Sequence, residues 1–136
     1  MFENIVNLAR EYNYSNRSIE AESCSDVVSY YSMYCTVHVN VGRGSGKTKY
    51  IVDNAEKNDV IFTFSQNSKK TFSELSKTKN IFCDVRECVG LDLEDIDFVY
   101  VDEPKICLEK YFYNIFDIYR LFRSTKKEIT FILLGE

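Results

Sequence analysis

The chain has 136 residues, 45% of them hydrophobic and 15% aromatic, with a formal net charge of −4 at pH 7. That length suits a single domain and is too short for a motor of two large lobes. The acidic balance argues against nucleic-acid binding over the whole surface; Lys69-Lys70, Lys77 with Lys79, and Lys126-Lys127 remain as local basic clusters, read as solvated faces. A nucleic-acid partner is permitted by charge but not indicated by it. The five cysteines (Cys24, Cys35, Cys83, Cys88, Cys107) include no Cys-x-x-Cys pair, which argues against a zinc site and for reduced thiols in a cytoplasmic compartment. No charged-then-apolar leader opens the chain and no apolar run reaches membrane-spanning length, so no membrane partner is expected.

In chain order, Phe2 to Tyr12 place Ile5, Val6, Leu8 and Ala9 at helical spacing and predict a short amphipathic helix. Asn13 to Asn16 read as a polar turn, and Ser18 to Tyr34 as a second helix with Ser18 as N-cap and Glu20 and Glu22 near the positive end of its dipole. Residues 1–34 are thus expected to be a helical segment packed on a core of residues 35–136, covering one face of its sheet or offering a docking surface. From Cys35 onward strands alternate with helices, which predicts an α/β fold: a mostly parallel central sheet with helices on both faces. The strands are read at Cys35–Val41, Asp59–Phe64, Asn80–Cys83, Asp97–Val101 and Glu128–Leu134, the helices at Lys47–Ala55, Ser68–Leu75 and Ile106–Phe122. Thr36, His38 and Asn40 alternate with valines in the first strand, an unexpected pattern for a central strand buried on both faces. His38 is read as a core histidine with its hydrogen bonds satisfied.

Between the first strand and the helix at Lys47 runs Gly42-Arg43-Gly44-Ser45-Gly46-Lys47-Thr48. Strand, glycine loop and helix are the context of a phosphate-binding loop. Its backbone N–H groups and the helix N-terminus face phosphate oxygens, Lys47 reaches the β- and γ-phosphates, and the Thr48 hydroxyl ligates Mg²⁺. The usual pattern places its first glycine at position 41, where this chain has Val41, with Gly42 one step later.

Downstream, Phe98-Val99-Tyr100-Val101-Asp102-Glu103 reads as a buried strand delivering two carboxylates at its C-terminal end, the edge where open α/β sheets bind ligands. Asp102 is placed to hold Mg²⁺ near Thr48, and Glu103 to polarise a water that attacks the γ-phosphate. Ser65-Gln66-Asn67 would lie on the same edge, or cap the next helix through Ser65 or Asn67. Arg120 and Arg123 share a helix face and are arginine-finger candidates, with surface charge as the plainer reading.

With these two motifs the chain resembles the P-loop NTPases that carry an additional catalytic glutamate, and within them viral genome-packaging (terminase-type) ATPases and related helicase motor domains. The resemblance covers roughly Met33 to Glu136. It implies a three-layer P-loop fold, ATP and Mg²⁺ as cofactors, a homo-oligomer or larger motor as partner, and the host cytoplasm if the source is viral. Ile129 to Leu134 is similar to the strand whose end senses the γ-phosphate; members place Thr, Ser, Asn or Gln there, and this chain has Gly135-Glu136. Asp102-Glu103-Pro104 also occurs in transporter-type ATPases, but no Leu-Ser-Gly-Gly signature lies between Thr71 and Asp97.

Three functions follow as expectations. The first is Mg²⁺-dependent ATP hydrolysis coupled to work on nucleic acid. The second is a small nucleoside or nucleotide kinase, against which stands the lack of an arginine-rich lid. The third is a nucleotide-binding switch or adaptor that does not hydrolyse.

Overall fold

The computed structural model describes residues 2–20, 26–40, 42, 46–90, 95–124 and 128–136. Five parallel strands form one sheet: β1 (Thr36–Val39), β2 (Val60–Phe62), β3 (Asn80–Phe82), β4 (Phe98–Asp102) and β5 (Thr130–Leu134), in the spatial order β1-β5-β4-β2-β3. β5 lies between β1 and β4, its Phe131 and Leu134 opposite Thr36 and Val39 on one side and Val99 and Asp102 on the other. Because all five strands point the same way, the ends of β1, β4 and β5 meet at one edge.

Strand alternation builds the two sides of the core. Val60, Phe62, Val99, Val101, Ile129, Phe131 and Leu133 pack on one side with Tyr31, Cys107, Ile118 and Tyr119. Ile61, Tyr100, Ile132 and Leu134 pack on the other with Phe2, Val6, Tyr50, Ile51 and Phe72. Helices α1 (Phe2–Glu20), α3 (Lys47–Asn54) and α4 (Gln66–Leu75) therefore cover one face. Helices α2 (Val27–Tyr34), α5 (Pro104–Glu109) and α6 (Ile115–Leu121), with the 3-10 turn Val85–Cys88, cover the other. The α/β class with a parallel sheet flanked by helices is as expected.

The boundaries of the N-terminal helices are not. α1 runs through Asn13–Asn16 without a turn, and Ser18 lies within it. Arg17 accounts for the continuity: its side chain is buried, reaching Asn13 Oδ1 one turn back, the Tyr34 carbonyl at 2.9 Å and Thr130 Oγ1 at 2.9 Å, with Glu128 at 3.3 Å. A tertiary anchor of that kind overrides weak turn propensity. α2 is capped by Asp26, whose carboxylate accepts from Ser29 N at 2.9 Å. Glu22, Cys24 and Ala21 lie outside the described residues.

The helix expected over Ile106–Phe122 is two helices. Tyr113 N donates to Leu108 O and Phe112 N to Glu109 O, with Phe112 in the left-handed region at φ 64°; this is a Schellman stop occupied by phenylalanine rather than glycine. Asn114 then starts α6 with a capping box to Asp117. Arg120 pairs with Asp117 at 3.1 Å, and Arg123 falls beyond the helix.

The polar alternation of β1 has a simple cause: β1 is an edge strand, not a central one. Val37 and Val39 face α1 and α3, while Thr36 bonds the Tyr31 carbonyl and the Tyr119 hydroxyl on the other face. His38 is exposed rather than core, with Nε2 2.8 Å from the Gly135 carbonyl.

Candidate functional site

The C-terminal edge of the sheet gathers the two motifs. Gly46 precedes α3 at φ 93° and Gly42 stands at φ 87°, both in the region that glycine enters without steric cost. Arg43, Gly44 and Ser45, predicted to cradle phosphate, lie outside the described residues, as does Val41. Lys47 opens α3 and its side chain turns back to Gly42, its Nζ 2.7 Å from the Gly42 carbonyl and 3.0 Å from Glu103 Oε1. The side chains of Lys47 and Glu103 are 10% and 20% exposed, so water screens the pair only in part. Thr48 is exposed on the first turn of α3, and no hydrogen bond joins it to Asp102 among the described residues.

Asp102 and Glu103, adjacent in sequence, are held very differently. Asp102 ends β4 in the core, 4% exposed, with Thr63 Oγ1 donating to Oδ2 over a long 3.4 Å. Burial, with the Glu103 charge adding to it, pushes the Asp102 carboxyl up to about 6, against the pull of Thr63 and Lys47. Glu103 has left the strand: at φ 52° it caps α5 without a side-chain bond, and Pro104 occupies the first turn. Its N–H donates to the Leu134 carbonyl at 2.8 Å, which ties the turn to the end of β5. That left-handed kink is what directs the Glu103 carboxylate back toward Lys47 instead of along the strand.

Two neighbours of the site were not singled out as functional from sequence. Thr63 follows β2 and meets Asp102, and its carbonyl accepts from Cys107 Sγ at 3.4 Å. Burial and then the Asp102 charge push the Cys107 thiol up to about 12, so it stays protonated and structural. Gly135, just beyond β5, lies where a Cβ would stand 2.7 Å from the Glu103 carboxylate carbon; its signal was a glycine closing an apolar run. Ser65 caps α4, accepting from Ser68 N at 3.1 Å, and its neighbours Gln66 and Asn67 are exposed.

Asp102 is the right kind of group for a hard cation: a desolvated carboxylate with one weak donor among the described residues. No trio of His, Cys, Asp or Glu that could hold a metal unaided is found among the described residues. Mg²⁺ commonly takes one or two protein oxygens and fills its shell with water and phosphate. Asp102 and Thr48 fit that partial donor set.

At the opposite edge of the sheet, a cleft of about 710 Å³ is lined by residues including Arg10, Arg17, Phe98, Glu128 and Thr130. Its arginines are already engaged, Arg17 as described and Arg10 over the Phe98 ring and on the Tyr50 hydroxyl. No helix among the described residues is long and apolar enough to cross a membrane. Comparison of the chain with protein-family models, curated proteins and solved structures returned no match.

Proposed function

We propose that this protein is a minimal P-loop ATPase lobe that binds ATP and hydrolyses it with Mg²⁺. The observation that supports the reading is the 3.0 Å contact of Lys47 Nζ with Glu103 Oε1, at the sheet edge where a glycine loop and a buried aspartate also end. A lysine and a glutamate from separate motifs meet where a phosphate and an attacking water would meet.

In the proposed cycle the Lys47 ammonium gives up Glu103 and the Gly42 carbonyl for the β- and γ-phosphate oxygens. A polyanionic triphosphate chain offers that cation more charge and more acceptor oxygens than one carboxylate does. Glu103, released, accepts a hydrogen bond from the water and orients it toward the γ-phosphorus. Thr48 and Asp102 would hold Mg²⁺, which when bound neutralises charge on the transferred phosphate. Charge stabilisation and positioning carry nearly all of the catalysis in this chemistry. By its resemblance to packaging and helicase motors, the lobe would couple turnover to movement along nucleic acid, as an oligomer or beside a partner.

The test is phosphate release from ATP with Mg²⁺, with and without single- and double-stranded nucleic acid. Loss of turnover in both Lys47→Ala and Glu103→Gln, with ATP binding kept in the glutamine variant, is the expected result. ATP binding that Lys47→Ala abolishes, without phosphate release under any condition, would replace hydrolysis by a nucleotide switch. Phosphate transferred to a nucleoside would make the protein a kinase.

A further inference from the structure

We infer that Gly135 is a positioning residue for Glu103, its missing side chain being the seat of the carboxylate that meets Lys47. The strands that deliver the glycine loop and the acidic pair, β1 and β4, are not neighbours; β5 separates them, so they stand roughly 10 Å apart. The Lys47 and Glu103 side chains close that gap over the end of β5, where Gly135 sits. A Cβ on Gly135 would stand 2.7 Å from Glu103 Cδ, 2.7 Å from Oε2 and 2.8 Å from Oε1, all nearer than side-chain carbons approach.

Gly135 has no freedom to retreat. Its N–H donates to the Val39 carbonyl at 3.0 Å, and its own carbonyl lies 2.8 Å from His38 Nε2. A carbonyl only accepts, so Nε2 carries the proton there. The adjoining Leu134 carbonyl receives Glu103 N–H at 2.8 Å. Any side chain at position 135 therefore turns the flexible end of Glu103 away and leaves the backbone in place. A polar sensor residue at this strand end and a glutamate in this seat exclude one another, and this chain has the glutamate seated. For its catalytic consequence the inference rests on the hydrolytic reading above.

The contact is tested first without nucleotide. The coupling between Lys47 and Glu103 in chemical denaturation, from Lys47→Met, Glu103→Gln and the double variant, is compared in the Gly135 and Gly135→Ala backgrounds. The φ of 116° at Gly135 penalises alanine in every member of the second cycle, so that strain cancels. Coupling present with glycine and lost with alanine is expected; the same coupling in both overturns the inference. If Gly135→Ala does not fold, it is remade with Glu103→Ala: folding restored supports the contact, and failure in both assigns the defect to backbone strain and overturns it. In turnover, Gly135→Ala is expected to lower kcat at least tenfold with KM unchanged, and an unchanged kcat counts against the inference. Should the parent protein release no phosphate, the hydrolytic reading fails, while the coupling still decides the role of Gly135.

Discussion

Lys47 at the start of α3 and Glu103 at the N-cap of α5 form a 3.0 Å ion pair across the tip of a strand to which neither belongs. The pair holds the lysine in place while no phosphate is present. Ligand that binds only the folded state raises stability by RT ln(1 + [L]/Kd), about 2.7 kcal/mol at a hundredfold excess over Kd. ATP with Mg²⁺ is accordingly expected to raise the Tm of the parent protein and to leave that of Lys47→Ala unmoved, measured by differential scanning fluorimetry.

Asp102 makes stability depend on pH in a direction opposite to most carboxylates. Its folded pKa of about 6 lies above its ordinary value of 3.8, so the fold binds the proton more tightly than the unfolded chain does. The resulting stabilisation is complete below the unfolded value and is lost as pH rises through 6, about 3 kcal/mol across the window at 1.36 kcal/mol per unit. In metal-free buffer, Asp102→Asn is expected to be more stable than the parent at pH 7.5, with the advantage vanishing near pH 4. Urea denaturation of both proteins over that range checks it, and an advantage that does not change with pH would sink the assignment.

Arg17 should be among the most costly surface-distant residues to truncate. It is 6% exposed and joins α1 to the end of α2 and the start of β5. Glu128 is half-exposed and keeps the Tyr30 hydroxyl, so the cost of removing Arg17 falls on the neutral groups it donates to, chiefly the buried Thr130 hydroxyl, at about 1–3 kcal/mol for each such group. Arg17→Ala is expected to lower the urea midpoint accordingly, and Arg17→Lys, which lacks the planar fork, to recover only part.

Phe112 pays for its place. Its side chain is 98% exposed, and its backbone occupies the left-handed position that ends α5. Such a conformation costs an L-residue about 1–2 kcal/mol, which glycine avoids. Phe112→Gly is expected to raise stability by about 1 kcal/mol in equilibrium denaturation, with nucleotide binding unchanged.

Tyr100 carries the one buried side-chain polar atom without a hydrogen-bond partner among the described residues, its hydroxyl. An unmatched buried hydroxyl costs about 1–3 kcal/mol. Tyr100→Phe keeps the ring in the core and is expected to leave the Tm equal or higher; a clear fall would show that the hydroxyl has a partner, such as an internal water.

Much of this architecture was legible because its signals are local. The apolar runs at Val60–Phe62, Phe98–Val101 and Ile129–Leu134 mark buried strands, and alternation with helices marks the parallel sheet. What was misread depended on residues far apart in the chain. Arg17 holds α1 straight through partners at Tyr34, Glu128 and Thr130, which no local window contains. The rank of β1 as an edge strand, and so the exposure of His38, follows from strand order, on which periodicity is silent. Of the candidate site, Lys47, Asp102 and Glu103 were legible from type and position. The kink at Glu103 and the space over Gly135 were not, because both arise where two strand ends meet.

Strand order also sets a schedule for folding. Among the described strands β1 pairs with β5 alone, and β5 is the last of the five to leave the ribosome. Until it inserts, the glycine-loop strand has no neighbour in the sheet, and its lysine has no fixed relation to the acidic turn. Contacts of such long sequence separation slow folding and couple its late steps. A nascent chain stalled before Ile129 would thus hold both motifs, synthesised and intact, without a site between them.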